Sequence, residues 1–128
     1  MYVSYHFAKE NAPKNPLFGL AYLSAHELLH QLIAKSTCRI LGSSAFSEYL
    51  NKNGGHDDSH ISLAMSGPEL VRRNAFPQNS SSKLRSAESI PPQQRSLILL
   101  YLFENSLNKK INDNSFACNA ISCSSHYI

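Results

Sequence analysis

The sequence predicts a helix-dominated α+β domain, with one long central helix packed against shorter helices and a small sheet. Three observations predict it. Residues 17–35 contain no proline and are mostly Leu, Ala, Ile and Tyr, behind an Asn15-Pro16 start. Two further segments, 44–52 and 93–110, have helix-type boundaries. Residues 2–8, Tyr-Val-Ser-Tyr-His-Phe-Ala, are rich in aromatic and β-branched types and supply the strand. A chain of 128 residues holds one such domain, and 1–128 is read as a single unit.

After the strand, Lys9 to Asn15 carries Pro13 and two asparagines and reads as a loop. Asn15 is then an N-cap and Pro16 the first helical residue. The helix that follows, about 20 residues at 1.5 Å each, is roughly 30 Å long and crosses the domain. The second helix starts at a serine cap near Ser44 and stops at Asn53-Gly54-Gly55. Residues 56–66 form a loop ending in the apolar stretch Ile61 to Met65. Gly67-Pro68 is a turn leading into one or two helical turns to Arg73. Residues 76–92 are serine-rich and proline-punctuated, as in an exposed loop. Pro91-Pro92 opens the third helix, whose run Leu97 to Phe103 is expected in the core. Residues 111–128 are a weakly determined Asn- and Ser-rich tail.

Composition excludes several classes. No apolar run reaches the roughly 18 residues of a membrane span. The net charge of +3 comes from dispersed Lys and Arg, which does not make a nucleic-acid groove. The N-terminus lacks a basic region followed by an apolar one, so no secretory signal is read; the expectation is a cytoplasmic protein or one exported by a non-classical route. Three cysteines, an odd count, argue against a disulfide-stapled scaffold. Cys118-x4-Cys123-x2-His126 has metal-capable residue types without a known ligand spacing, and reads as tail.

The chemistry lies in the long helix, at His26-Glu27-Leu28-Leu29-His30. This H-E-x-x-H pattern is expected by chance in roughly 0.01 chains of this composition. On a helix the two histidines are about 40° apart, so both imidazoles reach one ion; Glu27 lies about 100° round from His26, where a carboxylate meets a metal-activated water. From Pro16 to Ala34 the only formal charge is Glu27. A helix apolar on nearly all sides belongs in a core, and an unpaired buried carboxylate there costs several kcal/mol. The bland reading is a core helix whose His and Glu bond to nearby loops; a metal ion is the reading preferred.

These residues resemble the zincin metallopeptidases over about ten positions, Leu23 to Leu32. Three protein ligands are needed, and three schemes supply the third. The compact metzincin pattern is absent, since Ile33 and Ser36 stand where Gly and His are required. However, His56 before Met65 resembles the metzincin histidine and the methionine beneath its metal. In gluzincins a glutamate on the next helix serves, and Glu48 lies 18 residues past His30. The small ImmA/IrrE-type peptidases are similar through Leu63-Ala64-Met65-Ser66-Gly67-Pro68-Glu69-Leu70, which again puts the ligand near His56 and Asp57. The third ligand is therefore read as His56, with Glu48 or His60 as alternatives.

The resemblance implies a zinc-dependent peptidase acting on a peptide or protein, with Glu27 as general base and Zn2+ as cofactor. It also implies a substrate lying along a sheet edge, for which residues 2–8 are the only strand available. The alternatives are a non-catalytic helical interaction domain and a zincin relic that binds metal without cleaving.

Overall fold

The computed structural model describes residues 3–78 and 86–107. Among the described residues there are five α-helices: α1 (Tyr5–Asn11), α2 (Pro16–Ser36), α3 (Ser43–Asn51), α4 (Gly67–Arg72) and α5 (Pro92–Leu107). A π-helical turn, Thr37–Leu41, continues α2, and a 3-10 turn, Asn53–Gly55, follows α3. Among the described residues there is no strand. The expected α+β class with its small sheet is therefore incorrect.

The physical reason lies at Ser4. Its Oγ accepts from Phe7 N at 3.1 Å and caps α1 where a strand is expected. A lone strand leaves its backbone donors unpaired, whereas a helix pairs its own. The helix also packs closely on α2. A Cβ added at Gly19 would lie 3.1 Å from Ala12 Cβ and 3.3 Å from Ala8 Cβ, so glycine sets this approach. Aromatic and β-branched content misleads here, because a cap and two buried alanines decide the segment.

Helix α2 starts as expected, with Asn15 Oδ1 accepting from Phe18 N at 3.2 Å and Pro16 in the first turn. Its π-helical continuation ends at Gly42, whose φ of +99° turns the chain into α3. The cap of α3 is this glycine, without a side-chain bond, in place of the expected serine. The Asn-Gly-Gly stop adopts left-handed backbone at Asn53, Gly54 and Gly55.

Two apolar clusters lie along α2. The larger joins Ala8, Ala12, Tyr22, Leu23, Met65, Leu70, Phe76 and Ala87. The smaller joins Leu29, Ile33, Ala64 and Ile98. In helical register, Tyr22, His26, Leu29 and Ile33 share one face, so His26 and His30 sit between the clusters. Only Ile98 of α5 is buried; Leu99, Leu100, Leu102 and Phe103 are exposed. The apolar run expected in the core thus meets α2 through one face alone. The described ends of the serine-rich segment are also tied down. Tyr22 Oη donates to Ala87 O at 2.6 Å, and Leu63 N donates to Ser89 O at 2.7 Å. Residues 79–85 and the tail 108–128, with Lys109, Lys110, Cys118, Cys123 and His126, lie outside the described residues. Cys38 is buried in the π-helical turn.

Candidate metal centre

Helix α2 supplies two imidazoles one turn apart, both nearly inaccessible: His26 is 2% and His30 3% exposed. Their Nε2 atoms are 3.0 Å apart. Two nitrogens bound to one tetrahedral zinc at ~2.1 Å would be separated by roughly 3.4 Å. The turn after α3 brings the third ring. His56 stacks on His26 with centroids 5.3 Å apart and meets His30 edge-on at 4.7 Å. One ligand atom from each of the three residues lies within 4.8 Å of the others.

Each ring is held through its other nitrogen. His26 Nδ1 lies 2.6 Å from Leu63 O, His30 Nδ1 lies 3.1 Å from Tyr49 Oη, and His56 Nδ1 lies 3.0 Å from Asn53 O. A carbonyl only accepts, so His26 and His56 donate from Nδ1 and carry their lone pair on Nε2. His26 Nε2 therefore accepts from His30 Nε2 at 3.0 Å, and His30 Nδ1 accepts from Tyr49 Oη; a metal ion would replace the proton shared by the two Nε2 atoms. This outer shell is the kind that orients metal-ligating histidines and raises their basicity. The donor chemistry fits zinc, with three neutral imidazoles leaving one position for water or substrate.

The supports are local. Gly55 has φ of +86°, and a Cβ there would lie 2.9 Å from the Tyr49 ring and hydroxyl. Only glycine lets Tyr49 reach His30. Asp58 braces the loop, accepting from Ser66 N at 2.9 Å and Asn53 Nδ2 at 2.8 Å, while Arg73 donates to its backbone oxygen at 2.7 Å. Burial works to raise the Asp58 carboxyl; the Ser66 backbone, Asn53 and Ser66 hydroxyl bonds outweigh it and hold the group below its usual value.

Glu27 is 2% exposed, and its Oε1 has no hydrogen-bond partner among the described residues. Burial pushes its carboxyl from 4.5 to about 7. The other two candidates stay apart from the cluster. Glu48 is exposed on α3, and His60 is exposed with Nδ1 3.0 Å from Ser59 Oγ. Met65 is fully buried within the larger apolar cluster.

Beside His56 an open cavity of about 310 Å3 is lined by Tyr49, Lys52, Asp57, Ser59 and Gln94. Gln94 on α5 also borders the space beside His26 and His30. Neither Gln94 nor the Leu63 and Asn53 carbonyls carry a signal in the sequence. Gln94 lies 64 positions from His30, and backbone carbonyls have no residue signature. The role of Tyr49 was readable only as far as its position on the helix before the Asn-Gly-Gly stop. No family model, no curated protein and no solved structure matches this chain.

Proposed function

We propose that the chain is a zinc-dependent hydrolase that cleaves peptide bonds, with His26, His30 and His56 holding the metal and Glu27 as general base. One observation carries the reading. Three imidazoles from two chain segments converge while each Nδ1 is already committed to an oxygen, which leaves Nε2 as the ligand nitrogen. The bond between His26 and His30 Nε2 also satisfies both rings in a plain core, so the convergence of His56 on that pair is what favours a metal.

Zinc bound there supplies a Lewis acid and a water of pKa near 7. The protein's own groups do the rest. Glu27, next to His26 in a desolvated position, is the carboxylate that would accept a proton from such a water and pass it to the leaving amine. Among the described residues a substrate meets helices and loops at this site. It enters by the cavity beside His56, where Lys52 and Asp57 offer opposite charges to its backbone or side chains.

Metal analysis of protein purified without added zinc tests the site. About one zinc per chain, and loss of thermal stability on chelation, are expected. A metal-free preparation whose stability ignores chelators would refute it and favour a plain helical interaction domain. Cleavage of a mixed peptide library, lost in Glu27→Gln with zinc retained, tests the reaction. Equal behaviour of the two proteins would leave only a metal-binding fold.

A further inference from the structure

Gln94 has no part in the proposed hydrolysis. It stands in the first turn of α5, one turn before Ile98, which packs against Leu29, Ile33 and Ala64. Ile98 therefore fixes Gln94 against the same face of α2 that carries the histidines. An ion pair between Arg39 and Glu104, 2.7 Å long, fastens the other end of α5 to the π-helical turn. Gln94 borders both the cavity beside His56 and the inner space beside His26 and His30.

Its amide oxygen is buried and has no hydrogen-bond partner among the described residues. The inner space holds no water-sized void beside it, so a water reaches the metal only from the cavity beside His56. An unsatisfied buried carbonyl costs about 1–3 kcal/mol, and a small cation is what such a space admits in place of water. Resting on the three-histidine site, we infer that Gln94 Oε1 is a fourth, neutral ligand that α5 brings to the metal. The donor set then becomes three imidazole nitrogens and one amide oxygen. A neutral amide is the weakest of the four donors, so it is the one a water or a substrate carbonyl displaces from the cavity side. Helix α5 thereby becomes part of the site rather than a brace behind it.

Titration of the metal-stripped full chain with cobalt(II), followed by visible absorption and a competing chelator, tests this without activity. Wild type is expected to bind one cobalt with four-coordinate absorption. Gln94→Leu should bind at least about tenfold more weakly, with a changed band. Gln94→Glu, which keeps an oxygen donor and adds charge, should bind more tightly than wild type. Its far-UV signal shows whether the fold persists, and it decides the matter should the leucine variant unfold. Identical cobalt affinity and spectrum in wild type and Gln94→Leu, or no gain in Gln94→Glu, would overturn the assignment of Gln94 alone. Failure of the wild type to take up cobalt would overturn the three-histidine site with it.

Discussion

Replacing Glu27 by glutamine should change the pH dependence of stability in the metal-stripped protein, quite apart from any catalysis. The carboxyl is 2% exposed and burial moves it from 4.5 to about 7. A folded state with the raised value binds more protons than the unfolded chain between those two pH values, so stability falls as pH rises. The contribution is fully present below pH 4.5 and is lost by the time pH passes about 7. The shift corresponds to about 3 kcal/mol, an upper limit because local relaxation admits solvent to the charge. Urea denaturation of metal-stripped wild type and Glu27→Gln at pH 5 and pH 8 measures it. All other groups are common to the two proteins, so the difference between them isolates Glu27. Wild type should lose up to about 3 kcal/mol more than the variant over that interval. Equal losses would mean that Glu27 is solvated when ionised, and the argument for a desolvated base would fail. With zinc restored, the same variant should keep its metal while hydrolysis falls about 10²–10⁴-fold.

Tyr49→Phe removes the oxygen 3.1 Å from His30 Nδ1 and should weaken zinc binding about 10–100-fold, measured by competition with a chelator. Gly19→Val places methyl groups where a Cβ already lies 3.1 Å from Ala12 Cβ, and should cost about 1–3 kcal/mol or more in chemical denaturation. Glu69 is held down to about 2 by hydrogen bonds from Arg72 and Arg73, so its stabilising effect is present above pH 4.5 and lost as pH falls toward 2. Glu69→Gln should therefore show a smaller drop in melting temperature than wild type across that acid range.

What the sequence makes legible is whatever local chemistry decides. The Asn15-Pro16 start of α2 is a cap and a fixed φ, both written in two residues, and the structure has both. The Asn53-Gly54-Gly55 stop is legible for the same reason, since left-handed backbone favours those residues. Residues 2–8 fail because their composition favours a strand while Ser4 caps a helix and Ala8 and Ala12 fit against Gly19; packing between helices outweighs β propensity. The run Leu97 to Phe103 fails differently. Its residues are apolar all round, so the pattern cannot say which single face meets α2. The meeting of His56 with His26 and His30 depends on a chain reversal through α3, and spacing alone left Glu48 and His60 open beside it.

The position of the histidines between the two apolar clusters links metal binding to folding. His26 and His30 interrupt a continuous apolar face of α2, with Tyr22 and Leu23 on one side and Leu29 and Ile33 on the other. A core so interrupted has two nearly buried polar rings at its waist, and each cluster by itself is small. An ion shared by three rings would join α2 to the loop after α3, and so connect what the apolar contacts leave apart. Binding that favours the folded state adds RT ln(1 + [metal]/Kd) to stability, about 2.7 kcal/mol at one hundred times Kd. Glu27 works against that gain, because its carboxylate is buried a single residue from His26. A structural metal centre would do better with an apolar residue at position 27. A hydrolytic one requires the carboxylate, and this opposition between stability and chemistry is what Glu27→Leu exposes. The leucine variant should be more stable than wild type above pH 7 when metal-stripped, should still bind zinc, and should be inactive. If it were instead less stable at pH 8, Glu27 would be making contacts that hold the fold, and its burial would no longer argue for catalysis.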